Sequence, residues 1–291
     1  MKYRITHKTA YRYSEPASLS QNELFLHPRE TDTQRVVQNR LTIVPEPQYL
    51  HRRTDYFGNI AYVFMVQQPH DELTMTATSI VETHLPVMPA PAGTPPWEDV
   101  VRRLAAHAHP AELAACQFVF GSPLAAVAPG ALAYARPSFP PGTPVLAGAM
   151  DLMQRIFTEF TYDRSATTVD TTVGQVLATR KGVCQDFAHL AIGCLRALGL
   201  AARYVSGYLE TKPPPGKPKL IGADASHAWI SLFVPNAGWV DLDPTNNLVA
   251  GENHITLAWG RDYGDVTPVK GVVMGGGVHM LSVLLDVAAQ T

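Results

Sequence analysis

The stretch Arg180–Gly199, RKGVCQDFAHLAIGCLRALG, predicts a buried helix with a cysteine at its start. Apolar residues recur at helical spacing after Phe187, namely at Leu190, Ala191, Cys194, Leu195 and Leu198. Such a stripe is typical of a helix packed against a core. Gly199 follows it and favours a left-handed helix end. Cys184 lies three residues before Phe187, so it is predicted at the N-terminal end of the inward-facing stripe.

This position favours the reactive form of a thiol. Unpaired backbone N–H groups and the positive end of the helix dipole converge on the first turn of a helix and stabilise a thiolate there. The alternative is that Cys184 is an inert core residue, which is the commoner role of a free cysteine. Cys194 and Cys116 are interpreted as core residues. Asp186 is expected on the outer side of the helix, where it would cap the first turn or offset the dipole.

A nucleophilic cysteine needs a base, and that base needs an orienting group. Residues 226–247, SHAWISLFVPNAGWVDLDPTNN, supply candidates for both. A strand from His227, rich in β-branched and aromatic residues, is followed by a Pro-Asn-Ala-Gly turn and a returning strand that ends at Asp243. By alternation Asp241 and Asp243 share one face, so the pattern alone leaves both open as partners of His227.

The hairpin register raises a difficulty for Asp243. If Val234 pairs with Trp239 across the turn, Asp243 falls opposite Ile230 rather than His227. A bulge at Gly238, or strong twist, would then be needed to bring the carboxylate to the imidazole.

Taken together, residues 180–247 resemble the transglutaminase-like superfamily, in which a Gly-x-Cys helix start is followed by a His-x-Trp strand and a Trp strand ending in Asp-Pro-Thr. The matching residues are Gly182, Cys184, His227, Trp229, Trp239, Asp243, Pro244 and Thr245. The resemblance implies that Cys184 is the nucleophile, His227 the base and Asp243 its orienter. Segments 2–30, 55–64 and 254–272 resemble the bacterial branch, including its own N-terminal region.

The order of the predicted elements, helices first and then an antiparallel sheet, makes the fold class α+β. It matches the papain-like, transglutaminase-like core that the resemblance implies, in which the nucleophile helix packs on an antiparallel sheet. Residues 1–84 read as an antiparallel β domain, residues 85–96 as a proline-rich connector, and residues 97–291 as the catalytic domain. Helices are predicted from Trp97 to Ala108 and from about Leu146 to Phe160.

Composition excludes several other classes. The chain has 291 residues, of which 46% are hydrophobic, and its net charge is −2. This charge gives no basic field for nucleic acid and no polybasic stretch for membranes. Three widely spaced cysteines do not predict a disulfide framework. The N-terminal segment lacks an apolar signal core, so a cytoplasmic location is expected. His107 and His109 would point apart on a helix, so no metal or other cofactor is expected.

The expected chemistry is acyl transfer from an amide of a peptide or protein substrate through a Cys184 thioester. The backbone N–H of Cys184 is the expected first donor to the oxyanion, with Gln175 and Tyr162 as candidates for a second. Water as the acceptor makes a hydrolase, which we favour, and an amine makes a glutamine γ-glutamyltransferase. A non-catalytic binding module on the same fold is the third alternative. No pattern predicts an oligomeric state.

Overall fold

A long first strand organises the N-terminal half of the computed structural model, which describes residues 1–210 and 224–290. This strand, β1 (Lys2–Leu24), is followed by β2 (Gln34–Val44), β3 (Tyr49–Thr54), β4 (Ile60–Val66) and β5 (His70–Thr83). The sheet order is β2-β5-β1-β4-β3. The first half of β1 pairs with β5 and its last residues pair with β4, all antiparallel. The predicted all-β N-terminal region is therefore a sheet built around one strand.

Helices dominate the middle of the chain. They are α1 (Trp97–Ala106), α2 (Pro110–Cys116), α3 (Ala131–Ala135), α4 (Val145–Glu159), α5 (Val173–Thr179) and α6 (Cys184–Ala197). The two helices predicted before Cys184 are α1 and α4. The first is shorter than predicted because His107 takes a left-handed conformation, with φ of 52°, which ends the helix. Eleven of the 14 residues of α6 are buried, so it is a central helix rather than a surface one.

A second antiparallel sheet packs against α6. Two short strands, β6 (Thr161–Tyr162) and β7 (Lys181–Gly182), precede this helix as a parallel pair. The sheet itself consists of β8 (Ala202–Leu209), β9 (Ser226–Val234), β10 (Gly238–Asp243), β11 (Leu248–Val249) and β12 (His254–Gly260). Its order is β11-β10-β9-β8-β12. The fold class is α+β as predicted, with the helix of the candidate nucleophile on an antiparallel sheet. We call this sheet the core sheet.

The last two strands return to the N-terminal sheet. Strands β13 (Val269–Gly275) and β14 (His279–Gln290) both pair antiparallel with β1. Both strands fall within residues 97–291, the predicted catalytic domain, yet they hydrogen-bond to the N-terminal sheet. Local patterns could not show this, since β1 and β14 lie at opposite ends of the chain.

One continuous hydrophobic core joins the N-terminal sheet to α6 and the core sheet. Tyr3 and Ile5 of β1, and Leu285 and Val287 of β14, are buried in the cluster that also holds the apolar side of α6. In the described ranges, no helix is both long and apolar enough to cross a membrane. The sequence PPPGKPK also predicts a loop at residues 213–219, and segment 210–220 is expected to form one wall of a cleft. The loop and most of this segment lie outside the described residues.

Candidate active site

A tight turn places Cys184 at the first residue of α6. The N–H of Val183 donates to Asp186 Oδ2 at 2.8 Å, and Thr167 Oγ1 donates to the same oxygen at 2.7 Å. Asp186 does cap the helix start, but its predicted position on the outer side is wrong. Its side chain folds back over the turn and is buried. A Cβ on Gly182 would lie 2.8 Å from that of Asp186, which explains the glycine two residues before the cysteine.

The hairpin of β9 and β10 brings the histidine and an aspartate together. The predicted pairing of Val234 with Trp239 is wrong, because Val234 pairs with Gly238 instead. The register then continues without a bulge, and Asp243 comes diagonally across from His227 on the same face of the sheet. The one-residue difference removes the geometric difficulty that the sequence had raised.

Asp243 is fully buried and accepts five hydrogen bonds. His227 Nε2 and Asn246 Nδ2 each lie 2.7 Å from Oδ2, and His254 Nε2 lies 3.2 Å from it. The backbone N–H groups of Thr245 and Asn246 donate to Oδ1 at 3.0 and 3.2 Å. The chain turns at the proline after the aspartate, so these N–H groups fold back onto the carboxylate. The Asp-Pro-Thr motif is thus a self-capped turn that holds the carboxylate against His227.

Two members of this cluster, His254 and Asn246, were not predicted from the sequence. His254 begins β12, and the N–H of Gly251 donates to its Nδ1 at 3.3 Å. The ring therefore carries a proton on Nε2 and donates it to Asp243. A lone histidine at a strand start has no distinguishing spacing, so only its place in the fold reveals this role.

The same cluster has the geometry of a potential metal site. One ligand atom from each of His227, Asp243 and His254 lies within 4.8 Å of the others. The hydrogen bonds to the Asp243 carboxylate, however, account for both Nε2 atoms. The donor set therefore fits a hydrogen-bonded cluster, and no step of the chemistry below uses a metal.

The competing aspartate has a different partner. Asp241 Oδ2 accepts a hydrogen bond of 3.1 Å from Trp229 Nε1. The fully buried Trp229 ring lies 6.1 Å from the His227 ring and covers one side of it. A Cβ on Gly207 would lie 2.4 Å from the Trp229 ring, so this glycine makes room for the indole. Asp241 anchors the tryptophan that shields the histidine, and Asp243 holds the histidine itself.

Cys184 and His227 line one cavity. Burial lowers the pKa of His227, but hydrogen bonds to Asp243 and Cys184 and the Coulomb attraction of both groups outweigh it and raise that pKa to about 10. Burial raises the pKa of Asp243, yet its bonds to His227 and His254 hold it well below its usual range. Because Nε2 faces Asp243, Nδ1 is the ring nitrogen left for the sulfur. The site thus favours an imidazolium beside Cys184.

The two candidates for a second oxyanion donor lie elsewhere. Gln175 Oε1 accepts from the N–H of Thr172 at 2.8 Å and closes a capping box at the start of α5. Tyr162 packs with its ring edge toward Phe187, at a centroid distance of 6.4 Å. Neither is among the residues that line the Cys184 cavity. The role of either residue as a second donor stays a prediction.

Two family models match the chain. The bacterial transglutaminase-like N-terminal region matches residues 3–82, and the transglutaminase-like superfamily matches residues 133–244. An uncharacterized protein of Mycobacterium tuberculosis is 44% identical over 286 residues, which cover 94% of this chain and 87% of that protein. A protein-glutamine gamma-glutamyltransferase of Pseudomonas aeruginosa is 35% identical over 98 residues, which cover 32% of this chain and 15% of that enzyme.

A solved structure has the same fold along nearly the whole chain. It is a crystal structure described as a "putative cysteine protease" from Cytophaga hutchinsonii, with a TM-score of 0.76 and 20% identity. The match covers 99% of this chain and 90% of the other. The chain belongs to the transglutaminase-like superfamily and carries the bacterial transglutaminase-like N-terminal region.

Proposed function

We propose that the protein cleaves or transfers amide-linked acyl groups through a thioester on Cys184. The observation that carries the proposal is the alignment of three groups: a cysteine at the first residue of α6, a histidine in the same cavity, and a buried carboxylate 2.7 Å from the far nitrogen of that histidine. A cysteine, a base and an orienting group in this order form the arrangement used in nucleophilic catalysis.

The first half-reaction forms the thioester. The Cys184 sulfur, its proton held by His227, attacks the amide carbonyl carbon, and the negative charge moves to the carbonyl oxygen. The N–H of Cys184 lies at the first helical position, where no intrahelical acceptor competes for it, and is the proposed donor to that oxygen. The C–N bond then breaks, and the amine leaves with the proton from His227. Asp243 stabilises the imidazolium until this proton leaves with the amine.

The second half-reaction releases the acyl group. Water attacks the thioester carbonyl carbon while His227 accepts its proton. The C–S bond then breaks, the leaving sulfur of Cys184 takes that proton back from His227, and the acyl group leaves as a carboxylic acid. We favour this hydrolytic outcome because water is present in excess. The partial similarity to a protein-glutamine gamma-glutamyltransferase supports the second candidate, in which an amine takes the place of water.

Alkylation of variants in which one cysteine is replaced tests whether Cys184 is the nucleophile. Iodoacetamide at about pH 6–7 should label Cys184 in the wild type, and Cys184→Ala should abolish this labelling while the fold is retained. Cys194→Ala is the matched control, because burial raises the pKa of the Cys194 thiol to about 12 and leaves it unreactive. Equal labelling of the wild type and Cys184→Ala would contradict the proposal and favour a non-catalytic binding module.

The acceptor is tested with a glutamine-containing peptide. Ammonia release without added amine is expected to exceed incorporation of a fluorescent primary amine when both are measured on the same enzyme. Faster amine incorporation would make the transferase the correct alternative. Both activities should be lost in Cys184→Ala.

A further inference from the structure

The cavity beside Cys184 has walls from both halves of the molecule. Its volume is about 310 Å³, which is enough for one small ligand group. Tyr204 and Tyr263 line it from the core side together with the cysteine and histidine. Leu281 and Val283 of β14, with Tyr11 of β1, line it from the N-terminal sheet.

The wall from β14 is an apolar stripe that is only partly covered. Leu281, Val283, Leu285 and Val287 share one face of the strand by alternation. Leu285 and Val287 are 1% and 0% exposed because the core covers them. Leu281 and Val283, at the cavity, are 52% and 54% exposed. The same face therefore passes from the protein core to an apolar surface beside the nucleophile, where a further apolar group would gain free energy by burial.

The described part of the cavity wall offers no counter-charge to a charged group. Among its described lining residues there is no lysine, arginine, aspartate or glutamate. His7 is buried, and this burial lowers its pKa to about 4. Its two ring nitrogens are engaged by Tyr208 Oη at 2.8 Å and Thr9 Oγ1 at 3.0 Å. His227 is the one cationic group among the lining residues that the structure describes, and it already pairs with Asp243. A charged side chain would lose hydration here without compensation.

We propose that this cavity binds an apolar side chain of the acyl donor, aromatic or branched aliphatic, next to the amide that Cys184 attacks. The inference rests on the proposed function and deepens it by naming the substrate class. It also gives the N-terminal sheet a role, because Leu281, Val283 and Tyr11 make that sheet a specificity wall rather than a separate module.

Chloroacetamides with different arms test the cavity without a known substrate. The substituents on the amide nitrogen are phenethyl, carboxyethyl and ammonioethyl, and unsubstituted chloroacetamide is the reference. The measurement is the second-order rate constant for alkylation of Cys184 at about pH 7, divided by the rate constant of the same reagent with glutathione. The phenethyl reagent should react about 10- to 100-fold faster than either charged reagent.

Two neighbouring substitutions on β14 provide the matched pair. Leu281→Asp introduces a charge at the cavity and should reduce the phenethyl rate about tenfold. Met280→Asp introduces the same charge on the opposite face of the strand, at a residue that is 71% exposed, and should change the rate less than about twofold.

The outcomes separate the two proposals. One outcome is that unsubstituted chloroacetamide alkylates Cys184 rapidly and the normalised rate constants of the three substituted reagents lie within about threefold of one another. This result would contradict the proposed apolar specificity of the cavity but not the proposed thioester chemistry. Equal effects of the two aspartate substitutions would also overturn it. If no reagent alkylates Cys184 faster than glutathione, the proposed function fails, and the cavity inference fails with it.

Discussion

The core sheet and the N-terminal sheet bury their strands in different ways. In the core sheet, every residue of β9 after Ser226 is buried, and every residue of β8 before Leu209. In the N-terminal sheet, β5 alternates between buried and more exposed positions, and β14 is exposed from His279 to Leu284. A strand that is buried on both faces must satisfy its polar side chains inside the protein. A strand with one side in water can leave the polar side chains of that side hydrated.

The polar residues of the two sheets show the consequence. In the core sheet, the Arg203 guanidinium lies over the rings of Trp239 and Trp259, at 4.2 and 3.6 Å from their centroids. In the N-terminal sheet, Arg35 and Glu82 form an exposed ion pair at 2.9 Å. Exposed pairs contribute little to stability, whereas buried polar groups are costly to disturb. Burial perturbs pKa values in both sheets, but only the core sheet supplies the buried pair of His227 and Asp243. The N-terminal sheet supplies the wall of Leu281 and Val283 instead.

The largest expected effect comes from the buried carboxylate of the core sheet. Asp243→Asn should lower the turnover of an amide substrate on the order of 10³-fold. Five hydrogen bonds converge on this carboxylate, and an amide can accept at only one of its two terminal atoms. In the pH profile of kcat/KM, the decrease on the alkaline side should also begin at a lower pH. The reason is that the substitution removes the carboxylate charge that raises the pKa of His227.

Asp241→Asn is the control for this experiment. Its Oδ1 can still accept from the Trp229 indole, so activity should fall less than about tenfold. Similar losses in Asp241→Asn and Asp243→Asn would contradict the roles assigned to the two aspartates.

Packing gives the next comparison between the sheets. Gly207→Ala in β8 should lower the free energy of unfolding by about 3 kcal/mol, because the added Cβ would lie 2.2 Å from the carbonyl oxygen of Ile255. Ser282→Ala on the exposed part of β14 should change it by less than about 0.5 kcal/mol. Urea unfolding of both variants measures the difference. Equal midpoints would show that the core sheet tolerates overpacking.

One histidine from each sheet should respond to pH with opposite sign. Burial lowers the pKa of His7 to about 4, so the stability it contributes is present above pH 6.5 and is lost as the pH falls toward 4. The change amounts to about 3 kcal/mol. The pKa of His227 is raised to about 10, so its contribution is present below pH 6.5 and is lost as the pH rises toward 10.

Variants that cannot titrate isolate each contribution. The difference in unfolding free energy between wild type and His7→Gln should decrease on the acid side, and that between wild type and His227→Gln on the alkaline side. Parallel pH profiles of the wild type and either variant would contradict the corresponding shift.

The smallest expected effect concerns His254, which touches Asp243 but not the cysteine. His254→Asn, whose side chain is too short to reach the carboxylate, removes one hydrogen bond and should lower kcat about tenfold with KM unchanged. His254→Gln, whose longer side chain keeps an N–H donor within reach, should retain more of the activity. A change in KM alone would indicate a role in substrate binding instead of positioning.

Local patterns predicted the elements of the site well. The stripe after Phe187 and the glycine at 199 located α6, and alternation located β9 and β10. These predictions succeeded because helix and strand periodicities depend on neighbours a few residues apart. The hairpin register failed by one residue, since Gly238 can take either the last turn position or the first strand position. The resemblance, rather than periodicity, separated Asp243 from Asp241.

The amino-acid sequence by itself determined where the Cys184 helix begins, which hairpin carries His227, and which family the motifs indicate. Only the tertiary structure decided that His254 donates to Asp243, that Asp186 is buried, and that β14 joins β1. These contacts link residues far apart in the chain, and their partners are chosen by packing and burial rather than by spacing. The wall of Leu281 and Val283 beside Cys184 exists only because both ends of the chain meet in one sheet.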